Sequence, residues 1–175
     1  MLRRPIDSDR RAWSELVVAS RDFLERWIQV PDIGDDPDGR AWFDATLARV
    51  GDERFEKLLV FLRDGEVLVG ALNFNEIVRG SFHSAYLGYW IGAEHSGRGL
   101  MTEALGLALT HGFEVLNLHR VEANLQPDNA ASRALVRKWG FVKEGFSERY
   151  LWIGGQWRDH ERWALTVERW NGLGR

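Results

Sequence analysis

Two glycines one residue apart, Gly97 and Gly99, lie in the segment SGRGLMTEA at 96–104, between an apolar run and a helical pattern. Glycine lets a backbone approach a ligand closely, and a helix start offers unpaired N–H groups at a positive dipole end. Together these make a cradle for a pyrophosphate. The first helical residues, Leu100, Met101 and Thr102, carry those N–H groups, and Arg98 can add a charged contact to a phosphate. The pattern is neither the GxGxxG of dinucleotide-binding turns nor a P-loop, since no Gly-Lys-Ser/Thr follows. A turn of this kind can equally be only a route from strand to helix. A second segment, NLQPDNAASRALVRKWGF at 124–141, sets Asn129 and Ser132 three residues apart. That spacing puts both on one face of a helix's first turn, within reach of one ligand chain. Both can equally be ordinary capping residues.

The elements that must position these groups follow from periodicity. Residues 7–28 read as an amphipathic helix with Asp7 or Ser8 as cap and Trp13, Leu16, Val17, Phe23, Leu24 and Trp27 recurring near 3.6 residues. Residues 31–39, PDIGDDPDG, read as an acidic turn, with Asp36-Pro37 starting a second helix that carries Trp42, Phe43, Thr46, Leu47 and Val50. From residue 56 the pattern turns strand-like. Segments 57–63 and 66–76 flank Asp64-Gly65, which supplies the positive φ angles of a tight hairpin. Arg79-Gly80 marks a further turn and SAYLGYWI at 84–91 a buried strand. A helix over 99–116 buries Ala104, Leu105, Ala108, Leu109 and Phe113. A strand over 120–125 ends at Pro127. Asp128 can cap a helix over 129–139, and Gly140 fits the left-handed position beyond it. Segments 142–153 and 156–167 alternate and turn at Gly154-Gly155. This order predicts an α/β mixed sheet with helices on both faces.

Composition narrows the class. The chain's 175 residues suit one domain, 1–175, and 45% hydrophobic residues supply a core. There is no Cys, which removes disulfides and thiolate chemistry from consideration and agrees with a cytoplasmic setting. No apolar run approaches the ~20 residues of a membrane span. Residues 1–11, MLRRPIDSDRR, hold no apolar stretch of signal-peptide length. A net charge of −3 gives no reason to expect nucleic acid as a partner. His83, His111, His119 and His160 show no metal-site spacing, so no metal is expected.

A strand ending in GYWIG, then SGRGLM, a helix, a strand, and NAASRALVRKWGF resembles the GNAT acetyltransferase superfamily over residues 65–165. The resemblance implies a mostly antiparallel, centrally splayed mixed sheet. It also implies acetyl-CoA as co-substrate. The glycine turn would hold its pyrophosphate, and the strand carrying Trp90 and Ile91 would pair with its pantetheine arm. The stretches VRGSFHSAYLGYWIG at 78–92 and YLWIGGQWRDHERWALT at 150–166 more narrowly resemble the RimJ branch, the ribosomal-protein alanine N-acetyltransferases. The implied reaction acetylates the N-terminal α-amine of alanine or serine in a ribosomal protein. Residues 1–55 would then form a helical acceptor side and residues 56–168 the sheet and CoA-binding core, in a monomer or a homodimer. Three positions depart from the family pattern. Ser96 stands where many members carry Gln or Arg, Met101 where Gly or Ala is usual, and Asn124 where some relatives place a catalytic Glu.

Roles follow from that resemblance. Backbone N–H groups near Trp90 and Ile91 would stabilise the developing oxyanion. Ser132 would give a proton to the leaving thiolate, and Glu148 would act as the base. Glu148 can equally be a solvent-facing partner of an arginine on an edge strand. Glu122 alternates with Asn124 and can face the same site; Glu103 reads as a helix-dipole acid. Trp13, Trp27 and Trp42 read as core, or else as the lining of an acceptor groove beside the acidic loop. Two other readings stay open on these residues: acetylation of a small amine such as a polyamine, amino sugar or antibiotic, and a non-catalytic acetyl-CoA sensor.

Overall fold

The computed structural model describes residues 1–28, 36–63 and 67–174. The Asp64-Gly65 turn and residues 31–35 of the acidic loop lie outside them. The strands are β1 (Leu2–Arg3), β2 (Glu56–Phe61), β3 (Leu68–Val78), β4 (Ser84–Ile91), β5 (Arg120–Leu125), β6 (Val142–Ile153) and β7 (Gln156–Thr166). The helices are α1 (Arg10–Glu25), α2 (Arg40–Leu47), α3 (Leu100–Thr110), α4 (Ala130–Lys138) and α5 (Val167–Gly172). The strands form one sheet in the order β1-β2-β3-β4-β5-β7-β6, in which β4 and β5 run parallel and the other neighbours antiparallel. This is the mixed sheet that the pattern predicts, mostly antiparallel as the family resemblance implies. Two elements add to the predicted order, the two-residue β1 and the six-residue α5, both too short to show a period.

The helix starts differ in detail from the predicted caps. Neither Asp7 nor Ser8 caps α1, which begins at Arg10. The buried Asp9 accepts the Ile6 N–H (2.9 Å) and both arms of the Arg3 guanidinium (2.7 and 2.6 Å), fixing the entry turn. Pro37 is not the first residue of α2. Gly39, at φ +70°, turns the chain into Arg40, and the Asp36 carboxylate accepts the Ala41 and Trp42 N–H groups (both 3.0 Å). A side chain at Gly39 would also press on Val17 of α1, so a glycine suits both the turn and the packing. Asn129, rather than Asp128, caps α4, its Oδ1 accepting the Ser132 N–H (3.0 Å). Gly140 takes the expected left-handed conformation, at φ +80°.

Both sheet faces are covered. On one, α1 and α2 bury Leu59, Phe61, Leu68, Ala71 and Trp90. The centre of that layer is Trp13, 1% exposed, which meets Trp42 (4.9 Å), Trp90 (5.1 Å) and Phe43 (5.5 Å) and donates to the Gly39 carbonyl (3.1 Å). On the other face, α3 and α4 cover Leu72, Phe74, Val121 and Leu165, and all five helix positions predicted inward are buried. Here Trp139 stacks on Trp170 (5.7 Å) and donates to the Thr102 carbonyl (3.1 Å). A side chain on the buried Gly106 of α3 would fall inside the Trp139 ring. Gly→Ala in an open helix stabilises by up to about 1 kcal/mol, whereas overpacking costs about 1–3 kcal/mol. Gly106→Ala is therefore expected to lower the urea midpoint. A raised midpoint would show that Trp139 moves aside freely.

Candidate active site

The strands β4 and β5 pair over three positions only, Ser84 with Arg120, Ala85 with Val121 and Tyr86 with Glu122. Beyond that they part. β4 stays paired to β3 as far as Ile91, and β5 stays paired to β7 as far as Leu125. The gap between them exposes backbone polar groups that have no strand partner. The Gly92 N–H donates to the Val69 carbonyl (2.8 Å), and N–H directions alternate along a strand. The Trp90 N–H therefore faces β3 and is used in the ladder, while those of Tyr89 and Ile91 face the gap. Of the two expected oxyanion donors, only Ile91 is available; Trp90 contributes its ring to the core instead.

One cavity of about 570 Å³ opens on the α3 side of this gap. Its wall includes Trp90, Ile91, Gly97, Gly99, Leu100, Met101, Thr102, Asn129 and Ser132, nine of the ten residues expected around a coenzyme. The tenth, Arg98, is exposed and outside the wall, with its guanidinium beside the His95 ring (3.5 Å). Gly97 and Gly99 hold φ of +75° and +79°, and Gly99 starts α3. The amides of residues 97–101 take no acceptor among the described residues, whereas Thr102 already donates to the Gly99 carbonyl (2.9 Å). Successive free N–H groups at a helix start form an anion-binding arc. This fits a diphosphate held by main chain rather than by arginine.

A second cavity, also about 570 Å³, lies on the other side of the gap. Trp27, Ile28, Tyr89, Asn129 and Ser132 line both cavities, so the two meet at these side chains. Trp27 thus belongs to the site rather than to the core, whereas Trp13 is core. The second wall adds Asn75, Tyr86, Asn124, Gln126, Tyr150, Trp152 and His160, with no aspartate, glutamate, lysine or arginine among its described residues. Behind Asn75 stands the buried Lys57, which donates to its side-chain oxygen. Burial pushes the Lys57 ammonium down to about 8. The Asn124 Oδ1 is buried and unpartnered.

The structure does not bring Glu148 into this site. It is exposed on β6, beside a register shift between Ser147 and Leu151 where Arg149 adopts φ +48°, and it lines neither cavity. The bulge breaks the alternation from which a strand's facing would be read. Glu122 is also diverted, paired to Arg120 (2.8 Å) outside both walls. Glu103 is exposed in the first turn of α3.

Among the wall residues that sequence reasoning did not place in the site, Tyr89 and His160 bear most on the chemistry. The Tyr89 hydroxyl is buried next to Ser132, and burial pushes it up to about 12, so it keeps its proton. Its signal was its place in GYWIG, opposite in facing to Gly88 and Trp90. His160 is 2% exposed; burial holds its imidazole below the ordinary range, and nothing in its spacing marks it. A larger cavity, about 850 Å³, lies away from this site between β1, β2 and α3. The Arg4–Glu56 ion pair (2.6 Å) sits in its wall, and it shares only Leu100 with the coenzyme-side cavity. Among the described residues there is no cluster able to hold a metal and no helix long and apolar enough to cross a membrane.

Two cavities meeting at a parted sheet, one lined by free amides and one without charge among its described residues, fit a two-substrate group transferase of the mixed α/β class. Residues 1–142 match the acetyltransferase (GNAT) domain family, and the chain belongs to that family. It is an acetyl-CoA-dependent N-acetyltransferase. It is 39% identical over 171 residues to the [ribosomal protein uS5]-alanine N-acetyltransferase of Escherichia coli K12, covering 93% of this chain and 86% of the relative. Among solved structures it resembles Mycobacterium smegmatis RimJ in complex with CoA-disulfide, with a TM-score of 0.87 and 35% identity over 99% of this chain and 88% of that one. It also shares 32% identity over 115 residues with the Escherichia coli K12 spermidine N(1)-acetyltransferase, covering 65% of this chain and 60% of the relative.

A side chain at Gly99 would meet no protein atom within 4 Å but would have to adopt its positive φ. It would also disturb the amide arc at the wall of the cavity. Gly99→Val is expected to weaken coenzyme A binding at least tenfold by calorimetry, with an unchanged circular dichroism spectrum. Unaltered affinity would mean that the diphosphate lies elsewhere.

Proposed function

We propose that the chain acetylates the N-terminal α-amine of a protein beginning with alanine or serine, a ribosomal protein being the substrate class its relatives suggest. The observation that carries this reading is the charge-free second cavity. A polyamine or aminoglycoside would bring further ammonium groups into it, and a buried cation needs a partner. No described wall residue supplies a carboxylate, and Lys57 stands behind Asn75. A small, uncharged first side chain suits such walls, and the rest of the peptide leaves past Tyr86 and Trp152, which are exposed.

The chemistry agrees with an α-amine. Only the neutral amine attacks a thioester. With a pKa near ~7.8, roughly a third of α-amines are neutral at about pH 7.5, against about one lysine in a thousand. Holding both substrates across the gap supplies proximity. The Ile91 N–H meets the carbonyl oxygen as charge develops. Ser132, capped in place by Asn129 and backed by the protonated Tyr89, donates toward the departing sulfur. In this reading Trp27 and Ile28 of the first 55 residues border both substrates, residues 56–168 supply the rest of the acceptor wall and most of the coenzyme site, and the chain works as one domain in the cytoplasm.

Peptides beginning with Ala, Ser or Met, beside spermidine and an aminoglycoside, test the acceptor by release of the CoA thiol. The Ala or Ser peptides are expected to lead the small amines by at least about a hundredfold in kcat/KM, near 2.7 kcal/mol. Turnover of small amines alone would overturn the reading. Ser132→Ala is expected to lower kcat about ten- to a hundredfold while acetyl-CoA affinity holds. An unchanged kcat would leave Ser132 with no part in proton transfer.

A further inference from the structure

The reaction must remove a proton from the attacking nitrogen, and among the described residues no acidic side chain lines the acceptor cavity to take it. Among the described residues that line the acceptor cavity, the ionisable groups are three tyrosines, Tyr86, Tyr89 and Tyr150, and one histidine, His160. A phenol at neutral pH holds its proton and cannot accept another. Tyr86 and Tyr89 are pushed further in that direction by burial.

His160 has the geometry of a base. It lies on β7 one residue before Glu161, the partner of Leu125 at the end of β5, so its ring stands where the gap opens into the second cavity. Its Nδ1 is 3.0 Å from the carbonyl oxygen of Arg158. A carbonyl only accepts, so Nδ1 carries the hydrogen and Nε2 is left with a lone pair. The backbone thereby fixes both tautomer and ring direction. The neighbouring groups leave this arrangement intact. The Tyr150 ring packs at 5.8 Å. Asp159, next in sequence, favours the charged imidazole, but its Oδ1 is engaged by the Arg149 N–H (2.8 Å). Ser147 stands opposite on β6, and Glu148 and Arg149 beyond it are exposed. Burial outweighs the aspartate and favours the neutral ring, the form that accepts a proton.

We propose that His160 is the general base of this acetyltransferase, its Nε2 taking the proton that the acceptor amine loses as it is acetylated. The inference rests on the acetyl-transfer reading above. The amine nitrogen bonds to the thioester carbonyl carbon, and the proton it sheds passes to Nε2. The carbon–sulfur bond then breaks, with its electron pair going to sulfur. The thiolate takes the Ser132 hydroxyl proton. The imidazolium returns its proton to the serine through cavity water, so the products are the N-acetyl amine and the CoA thiol with both side chains restored.

The test uses the full chain and whichever amine the panel shows to be turned over. His160→Gln keeps the size and polarity but cannot accept a proton near neutrality. It is expected to lower kcat about a hundredfold, at the lower end of general-base contributions, with acetyl-CoA affinity unchanged. The wild-type kcat should fall along an acid limb lying below pH 6.5, and the variant should lack that limb. Added imidazole should restore part of the activity of His160→Ala, which a merely structural role would not allow. Equal kcat and the same acid limb in wild type and His160→Gln would overturn the proposal while leaving the acetyl-transfer reading intact. Absence of turnover on every amine by the wild type would end both. If neither variant folds, the wild-type His160 Cε1 resonance decides by NMR. Its titration midpoint should shift when the acceptor peptide binds, and a midpoint indifferent to the peptide would overturn the assignment.

Discussion

The loss of hydrogen bonding between β4 and β5 after the Tyr86–Glu122 pair is the constraint on which the rest depends. A sheet interior normally satisfies every backbone donor and acceptor, and an unpaired buried one costs about 1–3 kcal/mol. Here the cost is left standing along the gap-facing edges of 87–91 and 123–125, because each strand is held by its other neighbour, β3 and β7 respectively. An extended, amide-bearing substrate arm lying in the gap offsets it, as an added strand does at any open edge. The same parting brings the two cavities together at the shared side chains of Trp27, Ile28, Tyr89, Asn129 and Ser132. A thioester can then meet an amine at a place that neither enters from the other's side.

The amide arc at 97–101 and the gap are two uses of one device, main-chain polarity left unsatisfied by protein. A phosphate site built from these main-chain amides would need no Arg98 in its wall and would let Ser96 stand in place of a longer donor. Met101 is compatible with the same logic. Its side chain is 8% exposed and packs in the core under α3, while its N–H remains free for the ligand.

Much of this was legible in the sequence. The glycine turn, the 84–91 and 120–125 strands and the Asn129–Ser132 spacing rest on local signals, namely backbone freedom, period-2 alternation and cap chemistry. Details that depend on tertiary partners were not legible. Asp9 fixes the turn into α1 because Arg3 from β1 is there to pair with it, and a two-residue strand carries no pattern. The Trp90 N–H is spent on β3, which follows from register rather than residue type. Glu148 suits the role because an acid near the YLWIGG segment resembles the family, but the bulge breaks the alternation there, and Glu148 is exposed outside the wall that Tyr150 and Trp152 of the same strand line. His160 sits in RDHERW with no spacing to distinguish it; its role depends on a carbonyl two residues back and on walls from β3, β4, β5 and β6.

The absence of charge among the described residues of the acceptor wall bears on mechanism as well as on substrate choice. Desolvation disfavours an ammonium just as it disfavours an imidazolium, so an amine entering this cavity is drawn toward its neutral form. An α-amine begins only a fraction of a pK unit from neutrality at pH 7.5, and a modest push suffices; a lysine begins about three units away. A carboxylate in the wall would reverse the effect, holding the amine as a cation and stabilising the unreactive state. On the proposed reading, the feature that disfavours a polyamine is the same one that readies an α-amine. A buried neutral histidine suits such a site because it can accept a proton without placing a negative charge beside the nucleophile beforehand.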